Sequence, residues 1–169
     1  MTAVVTLRPL SVRDLPEMLD SRNNPEIWRW CRQFDLISES QHRRWFDTQD
    51  ADPRIRMYGI EGRGNNLLGV CGLTDIDHVN QRAEFSLYVF TDSQGCGYGK
   101  AALKALCTHG FKNLNLNTIW GETFDGNPAA AMFEKIGFVL EGTRKQFYFR
   151  DGQFIDCHLY SVQRAEWKY

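Results

Sequence analysis

The middle of the chain constrains its fold more than any other part. Arg82–Phe90 alternates with period two, which is typical of a β-strand, and one of its faces carries a single carboxylate, Glu84. A glycine-rich loop, Ser93–Gly99, follows at once, and Lys100–Phe111 then has the spacing of an amphipathic helix. A strand, a glycine loop and a helix in direct succession predict a sheet with a helix packed on one face.

Other segments extend this sheet on both sides in sequence. Two helix N-caps are predicted at Ser11 and Ser38, with a loop or helix break at 23–25 between them. The expected order, β-α-α-β-β-β-α-β-α-β-β, predicts a single α+β domain over residues 1–169 with helices on both faces of a mixed sheet. The remaining predicted elements are strands at Val4–Arg8, Arg56–Glu61, Leu67–Thr74 and Thr118–Thr123, a helix opened by Asn127-Pro128 and ended near Gly137, and a hairpin of Phe138–Phe149 and Phe154–Gln163.

Composition excludes several classes of protein. The formal net charge is -1, so no overall field attracts nucleic acid. No apolar run approaches the ~20 residues of a membrane span, and the N-terminus lacks the pattern of a signal peptide. The five cysteines have no C-x-x-C spacing and the four histidines are scattered, which favours a reducing, cytoplasmic setting and no metal site.

The glycine loop indicates an anion site. In Gln94-Gly95-Cys96-Gly97-Tyr98-Gly99, the glycines let backbone N–H groups point into one concavity, and the following helix N-terminus adds partial positive charge. Such a loop can bind a pyrophosphate, although a plain glycine turn gives the same pattern. A dinucleotide-binding loop is disfavoured, because the glycines lie mid-chain with the spacing G-x-G-x-G and no acidic residue follows in the ribose-binding position.

The order of several segments adds specificity. Gln94-x-x-Gly97-x-Gly99 resembles the coenzyme A motif of the GNAT superfamily of N-acetyltransferases. The segments Leu68–Leu73, Ala83–Val89 and Phe133–Phe138 resemble that family's third strand, its fourth strand, and its last helix with the strand after it. The resemblance spans most of the chain from Leu67 onward. It implies the GNAT fold, a mostly antiparallel twisted sheet whose fourth and fifth strands splay apart around acetyl-CoA.

The resemblance also implies the residues that bind the cosubstrate. The acetyl-pantetheine arm would lie between the splayed strands as a pseudo-strand, bonded to the backbone of Tyr88, Val89 and Phe90. The amides of Gly95, Gly97 and Gly99, with Lys100 beside them, would hold the pyrophosphate. Gln94, Tyr98, Asn127 and Phe133 complete the expected contacts, although Asn127 lies one residue closer to the aromatic than in most relatives.

Acetyl transfer to an amine requires a base, since an alkylamine has a pKa of ~10 and is protonated at neutral pH. Glu84 occupies the position where many family members place a strand-four carboxylate, so it is the predicted base, acting directly or through a water. The alternative is a surface carboxylate engaged in a salt bridge.

The group that protonates the leaving thiolate is less clearly marked. Many relatives use a tyrosine in the last helix, and here that position is Phe133, which has no proton to donate. The thiolate either leaves unaided or takes a proton from another hydroxyl, for which Tyr148 and Ser86 are candidates. Cys96 is interpreted as a tolerated loop residue, because direct transfer needs no acyl-enzyme.

The acceptor stays open at this point. The segments 22–26, 42–46 and 150–156 resemble two branches of the family, one that acetylates N-termini of ribosomal proteins and one that acetylates an amino sugar nucleotide. A peptide N-terminus or small amine is the preferred acceptor. A peptide would call for an open acidic groove, and a sugar nucleotide for basic residues near Arg22, Arg29 and Arg32. A non-catalytic acyl-CoA-binding sensor is the alternative from another class. Exposed strand edges leave room for a homodimer.

Overall fold

A computed structural model of the protein describes residues 3–169 and contains one seven-stranded sheet. All neighbouring strands pair antiparallel except β4 and β5, which are parallel. The predicted α+β fold with a mixed, mostly antiparallel sheet is therefore confirmed. In spatial order the strands are β1 (Thr6–Pro9), β2 (Arg56–Glu61), β3 (Leu67–Asp77), β4 (Arg82–Val89), β5 (Thr118–Phe124), β7 (Gln153–Gln163) and β6 (Val139–Arg150).

Helices cover both faces of this sheet. Their bounds are α1 (Leu15–Arg22), α2 (Pro25–Trp28), α3 (Glu39–Gln49), α4 (Tyr98–Asn113) and α5 (Ala130–Lys135). On one face α4 and α5 close the larger core, which includes Ala83 and Phe85 of β4. On the other face Met18 of α1 packs with Val70 and Phe90. Strand β3 is buried from Leu67 to Leu73 because both of its faces are covered.

The predicted N-caps at Ser11 and Ser38 are confirmed, and each residue forms a capping box, Ser11 at the short 3-10 turn before α1 and Ser38 at α3. The predicted break at 23–25 is also confirmed, because α1 ends at Arg22 and Asn24 caps the short helix α2 that follows. The prediction that Asn127 caps the last helix is wrong, because α5 begins at Ala130 and its N-cap is Ala129. The Asn127 side-chain oxygen instead accepts from the Ala129 N–H (2.9 Å) and closes the turn before that helix.

Strands β4 and β5 form a fork. Their pairing begins at Arg82–Thr118 and ends at Glu84–Trp120, although both strands continue. Phe85, the next residue of β4, lies over Gly121 of β5, where a Cβ would come within 2.4 Å of its ring. The aromatic ring occupies the space that a side chain on β5 would need. The two strands therefore separate directly after Glu84, as the family resemblance implied.

Gly121→Ala should destabilise the fold, because its Cβ would overlap the ring of Phe85, which is itself packed against Phe133 and Phe138. We expect a loss of about 1–3 kcal/mol in the free energy of unfolding, measured by urea denaturation. Gly142→Ala on β6 is the matched control, since its Cβ would meet no atom within 4 Å. Equal stability of the two variants would contradict the role of Phe85 at the fork.

Candidate active site

The fork opens into a cleft of about 1110 Å³, bounded by β4, β5, the glycine loop, α5 and the residues from Arg22 to Trp45. Most of the residues predicted for the site meet here, although they come from distant parts of the sequence. Phe90 and Tyr148 are not among the lining residues. The predicted residues that do line the cleft are Glu84, Ser86, Tyr88, Val89, Gln94, Gly95, Gly97, Tyr98, Gly99, Lys100, Asn127 and Phe133.

The glycine loop presents backbone N–H groups at one end of this cleft. Gly95 and Gly97 have φ of +75° and +83°, a left-handed conformation that glycine adopts without strain. Gly97 is the N-cap of α4, so the first N–H groups of that 16-residue helix point outward with the positive end of its dipole. Lys100 adds a full positive charge in the first turn. The geometry suits a pyrophosphate.

The end of β4 has its own hydrogen-bonding pattern. In an antiparallel pair, the backbone groups of alternate residues point to the same neighbouring strand. The Phe90 N–H donates to the carbonyl of Leu68 (2.8 Å), and Tyr88 pairs with Val70, so Tyr88 and Phe90 direct their backbone groups to β3. Alternate residues, Leu87 and Val89, face the open side of the fork.

This register corrects two of the three predicted backbone contacts. The backbone groups of Tyr88 and Phe90 belong to the β3 ladder, because β3 fixes the phase of the whole strand. Val89 stays a candidate, and its carbonyl already faces the loop, where it accepts from Gln94 Nε2 (3.0 Å). Leu87 is a further candidate that sequence analysis did not name, since no pattern in β4 alone shows which alternate residues face β3.

Glu84 lies at the apex of the fork and is only 3% exposed. Its Oε2 accepts from Arg32 Nη2 at 2.9 Å. Burial raises the pKa of the Glu84 carboxyl above its ordinary value, and Arg32 opposes that rise. Glu84 therefore forms a salt bridge, as the alternative interpretation expected, and it also faces the cleft, where a base would have to lie.

A second carboxylate, Glu122, was missed by sequence analysis. Its side chain is 4% exposed, and Arg32 Nη1 lies 3.4 Å from its Oε1, so one guanidinium bridges Glu84 and Glu122. Arg144 and the Tyr148 hydroxyl also donate to Glu122. Trp120 pairs with Glu84, and Glu122 lies two residues further along the same strand, so its side chain points to the same face of the sheet as Glu84. This period-two spacing was the signal in the sequence that could have identified Glu122.

The segment that carries Arg32 is held in place by a residue of the edge strand β6. Arg150, at the end of β6, donates through Nη2 to the carbonyl oxygen of Arg32 at 2.7 Å. Its guanidinium also packs on the rings of Phe34, Phe124 and Tyr148. Arg32 is therefore anchored by its backbone, while its side chain remains about half exposed in the cleft.

The two hydroxyl candidates for the general acid differ in placement. Tyr148 packs on Phe124, and its hydroxyl donates to Glu122; burial and that carboxylate raise the pKa of Tyr148 to about 12. Ser86 lines the cleft. Phe133 packs in an aromatic cluster with Phe85, so it serves the core as well as the cleft wall.

Two of the thiols differ in their position relative to the cleft. Cys96 is exposed and is not a lining residue of the cleft, whereas Cys31 lines it, with Arg22 Nη1 against its sulfur. Among residues 3–169, no three His, Cys, Asp or Glu side chains cluster closely enough to hold a metal ion. No helix in that range combines the length and apolar character needed to cross a membrane.

Known proteins resemble this chain along nearly its whole length. The family described as "Acetyltransferase (GNAT) domain" matches residues 5–139. The spermidine N(1)-acetyltransferase of Vibrio cholerae is 28% identical over 165 residues, covering 96% of this chain and 95% of that protein. YdaF of Bacillus subtilis, whose name assigns it provisionally to ribosomal N-acetylation, is 32% identical over 173 residues, with 97% and 93% covered.

A solved structure agrees with these matches. The crystal structure of spermidine N-acetyltransferase from Vibrio cholerae in complex with CoA and spermine superposes with a TM-score of 0.92 and 25% identity, covering 96% of each chain. The fold, the fork and the family match together define an acyltransferase, and the chain belongs to the GNAT acetyltransferase family. It is an enzyme that transfers an acetyl group from acetyl-CoA to an amine, and not an acyl-CoA sensor.

Gly95→Glu should weaken acetyl-CoA binding at least about tenfold, because a carboxylate would stand against the pyrophosphate at short range in a partly desolvated site. The matched control is Gly64→Glu in the β2–β3 turn. Both glycines have left-handed φ (+75° and +88°), and a Cβ at either would meet no atom within 4 Å, so backbone strain is equal. Calorimetric titration with acetyl-CoA measures the difference; equal affinities would show that the loop does not bind the pyrophosphate.

Proposed function

We propose that the acceptor is a small, positively charged aliphatic amine, and that Glu84 removes its proton for direct attack on the thioester. One observation carries this proposal: two buried carboxylates, Glu84 and Glu122, lie in the wall of the cleft and are bridged by the guanidinium of Arg32, with Arg144 also bound to Glu122. A subsite that binds the guanidinium of Arg32 in the free protein has the charge to bind an alkylammonium. Because the Arg32 side chain is about half exposed, it can move aside when an alkylammonium binds the carboxylates.

The charges on the acceptor side of the cleft favour a cation over a sugar nucleotide. The lining residues there include three carboxylates, Glu26, Glu84 and Glu122, against two guanidinium groups, Arg22 and Arg32. Arg32 is paired with Glu84, and Arg22 lies against Cys31 and the Tyr88 ring. A nucleotide diphosphate would need these arginines unpaired.

The third arginine considered for a sugar nucleotide is also engaged. Arg29 binds Glu26 at 2.9 Å. Similarity to the spermidine N(1)-acetyltransferase supports an amine of the polyamine class. YdaF supports a peptide N-terminus, which has the same reacting group but lacks the further positive charges that the acidic subsite favours.

The geometry supports a direct transfer. An acceptor ammonium beside Glu84 gives its proton to the free Oε1, and the nitrogen lone pair then attacks the thioester carbonyl carbon held in the fork. The tetrahedral intermediate collapses with cleavage of the C–S bond, and coenzyme A leaves as a thiolate. The nitrogen loses its second proton to solvent or to that thiolate, which leaves a neutral amide. A thiol has a pKa of about 8.5, so its thiolate is a weak base and can leave without a dedicated acid, which fits a phenylalanine at position 133.

Two hydroxyls and two thiols remain to be assigned in this scheme. Ser86 is the proposed donor for any proton that the thiolate takes, because Tyr148 already donates to Glu122. An acyl-enzyme on Cys96 is not required, since that thiol is not among the residues lining the cleft. The Cys31 thiol donates to the carbonyl oxygen of Ile27.

Among three acceptors tested at equal concentration, spermidine should give the highest kcat/KM, ahead of a neutral-side-chain peptide with a free N-terminus and an amino sugar nucleotide. The physical reason is attraction between the substrate's additional ammonium groups and the carboxylates of the cleft, so the preference should shrink as salt rises. Release of free coenzyme A thiol reports the rate. A preference for the sugar nucleotide would contradict the cationic subsite.

Glu84→Gln should lower kcat by roughly 10²–10⁴-fold with little loss of acetyl-CoA binding, because the amide keeps the shape and cannot take the proton. Since only the ionised carboxylate is a base and burial raises its pKa, wild-type activity should fall as pH drops through that raised pKa. This acid limb should vanish in the variant.

Glu61→Gln, which removes an arginine-paired carboxylate on β2, is the control and should keep normal turnover. Near-normal turnover of Glu84→Gln would place the base elsewhere.

Two further features belong to this proposal. A cytoplasmic location is supported by five cysteines that are all free thiols, and fractionation of cells tests it. A homodimer is supported by the edge strand β6, where Val139, Phe147 and Phe149 are exposed. Light scattering at micromolar concentration measures the mass and would exclude a dimer if it returned that of one chain.

A further inference from the structure

Thr123 on β5 has a buried hydroxyl without a partner. The residue is 4% exposed, and its Oγ1 makes no hydrogen bond with any group in residues 3–169. Leaving a buried hydroxyl unpaired is unfavourable relative to a satisfied one. Thr123 is also a lining residue of the cleft, so a molecule bound there can supply the missing partner.

The surroundings of Thr123 explain why the protein itself does not satisfy this group. Its cross-strand neighbour on β7 is His158, whose two ring nitrogens are already engaged by Thr143 and Asp125. The nearby Asn127 side chain uses its oxygen to close the turn before α5. The adjoining cleft wall at Phe124, Met132 and Phe133 is apolar.

The position of Thr123 along the fork indicates which part of the cosubstrate it meets. It lies three residues beyond Trp120, the partner of Glu84 at the apex, which is ~10 Å along an extended strand. The glycine loop begins beyond Val89, five residues or ~16 Å from Glu84 on the opposite strand. Thr123 therefore lies between the end of the cleft that takes the thioester and the end that takes the pyrophosphate.

The chemistry of the cosubstrate between those ends is that of two amides. An extended pantetheine arm has its thiol at one end, its phosphate linkage at the other, and two amide groups in between. We propose that the Thr123 hydroxyl binds an amide of the pantetheine arm, donating to its carbonyl oxygen from the β5 side of the fork. Leu87 and Val89 then provide the backbone groups on the β4 side, so the arm is held from both strands.

This role is one of binding and not of proton transfer. Thr123 lies on the face of β5 that carries Gly121, whereas Glu122 lies on the opposite face with Glu84. The distance to the apex also separates its hydroxyl from the reacting sulfur. The inference rests on the use of acetyl-CoA and is independent of the acceptor proposed above.

The test compares Thr123→Val, Thr123→Ser and Ser21→Ala. Ser21 is the control, because its Oγ is also buried and unpaired but does not line the cleft. Two probes are titrated calorimetrically: coenzyme A, and adenosine 3′,5′-bisphosphate, which lacks the pantetheine arm. The Tm of each variant without ligand is measured in parallel.

Thr123→Val should bind coenzyme A about fivefold to tenfold more weakly, and should bind the bisphosphate normally. Its Tm without ligand should not fall, because the substitution removes an unpaired hydroxyl and keeps the shape. Thr123→Ser should keep wild-type affinity for coenzyme A, and Ser21→Ala should bind both probes normally. Unchanged coenzyme A affinity in Thr123→Val would overturn the proposal, and so would an equal loss for both probes.

Discussion

The interruption of one parallel strand pair is the feature on which the rest of this structure depends. Strands β4 and β5 stop pairing after Glu84 and Trp120, and the ring of Phe85 over Gly121 keeps them apart. A sheet normally satisfies its own backbone groups, so an opened pair leaves N–H and C=O groups on two strands for a ligand. The opening lies between two hydrophobic cores, one on each face of the sheet.

The fork also divides the chemistry between the two faces of the sheet. Side chains alternate along β5, so Gly121 and Thr123 point to the side of the sheet covered by α4 and α5, while Glu122 points to the other side with Glu84. In the proposed reaction, an amine bound beside the two carboxylates meets a thioester held between the strands at the apex of the fork.

The carboxylates at the apex are paired with arginines of the protein: Arg32 bridges Glu84 and Glu122, and Arg144 also binds Glu122. Two carboxylates with nearly buried side chains would repel each other, and Arg32 offsets that repulsion because Arg150 holds its backbone beside them. Burial favours protonated Glu84, whereas Arg32 favours the carboxylate, and a base poised between these influences can take a proton and release it again.

Sequence alone determined the α+β fold, the cleft's glycine loop and Glu84 as the carboxylate of the fourth strand, because period-two alternation, capping residues and glycine spacing are local signals read along one segment. It did not determine that Leu87 and not Tyr88 faces the gap, that Glu122 and Arg32 join Glu84, or that Cys31 and not Cys96 lines the cleft. Those outcomes depend on strand register and on contacts such as Arg32–Glu84, which join residues 52 positions apart. Only the tertiary structure could decide them, since the phase of a strand is set by the neighbour it pairs with and a salt bridge by which segments the fold brings together.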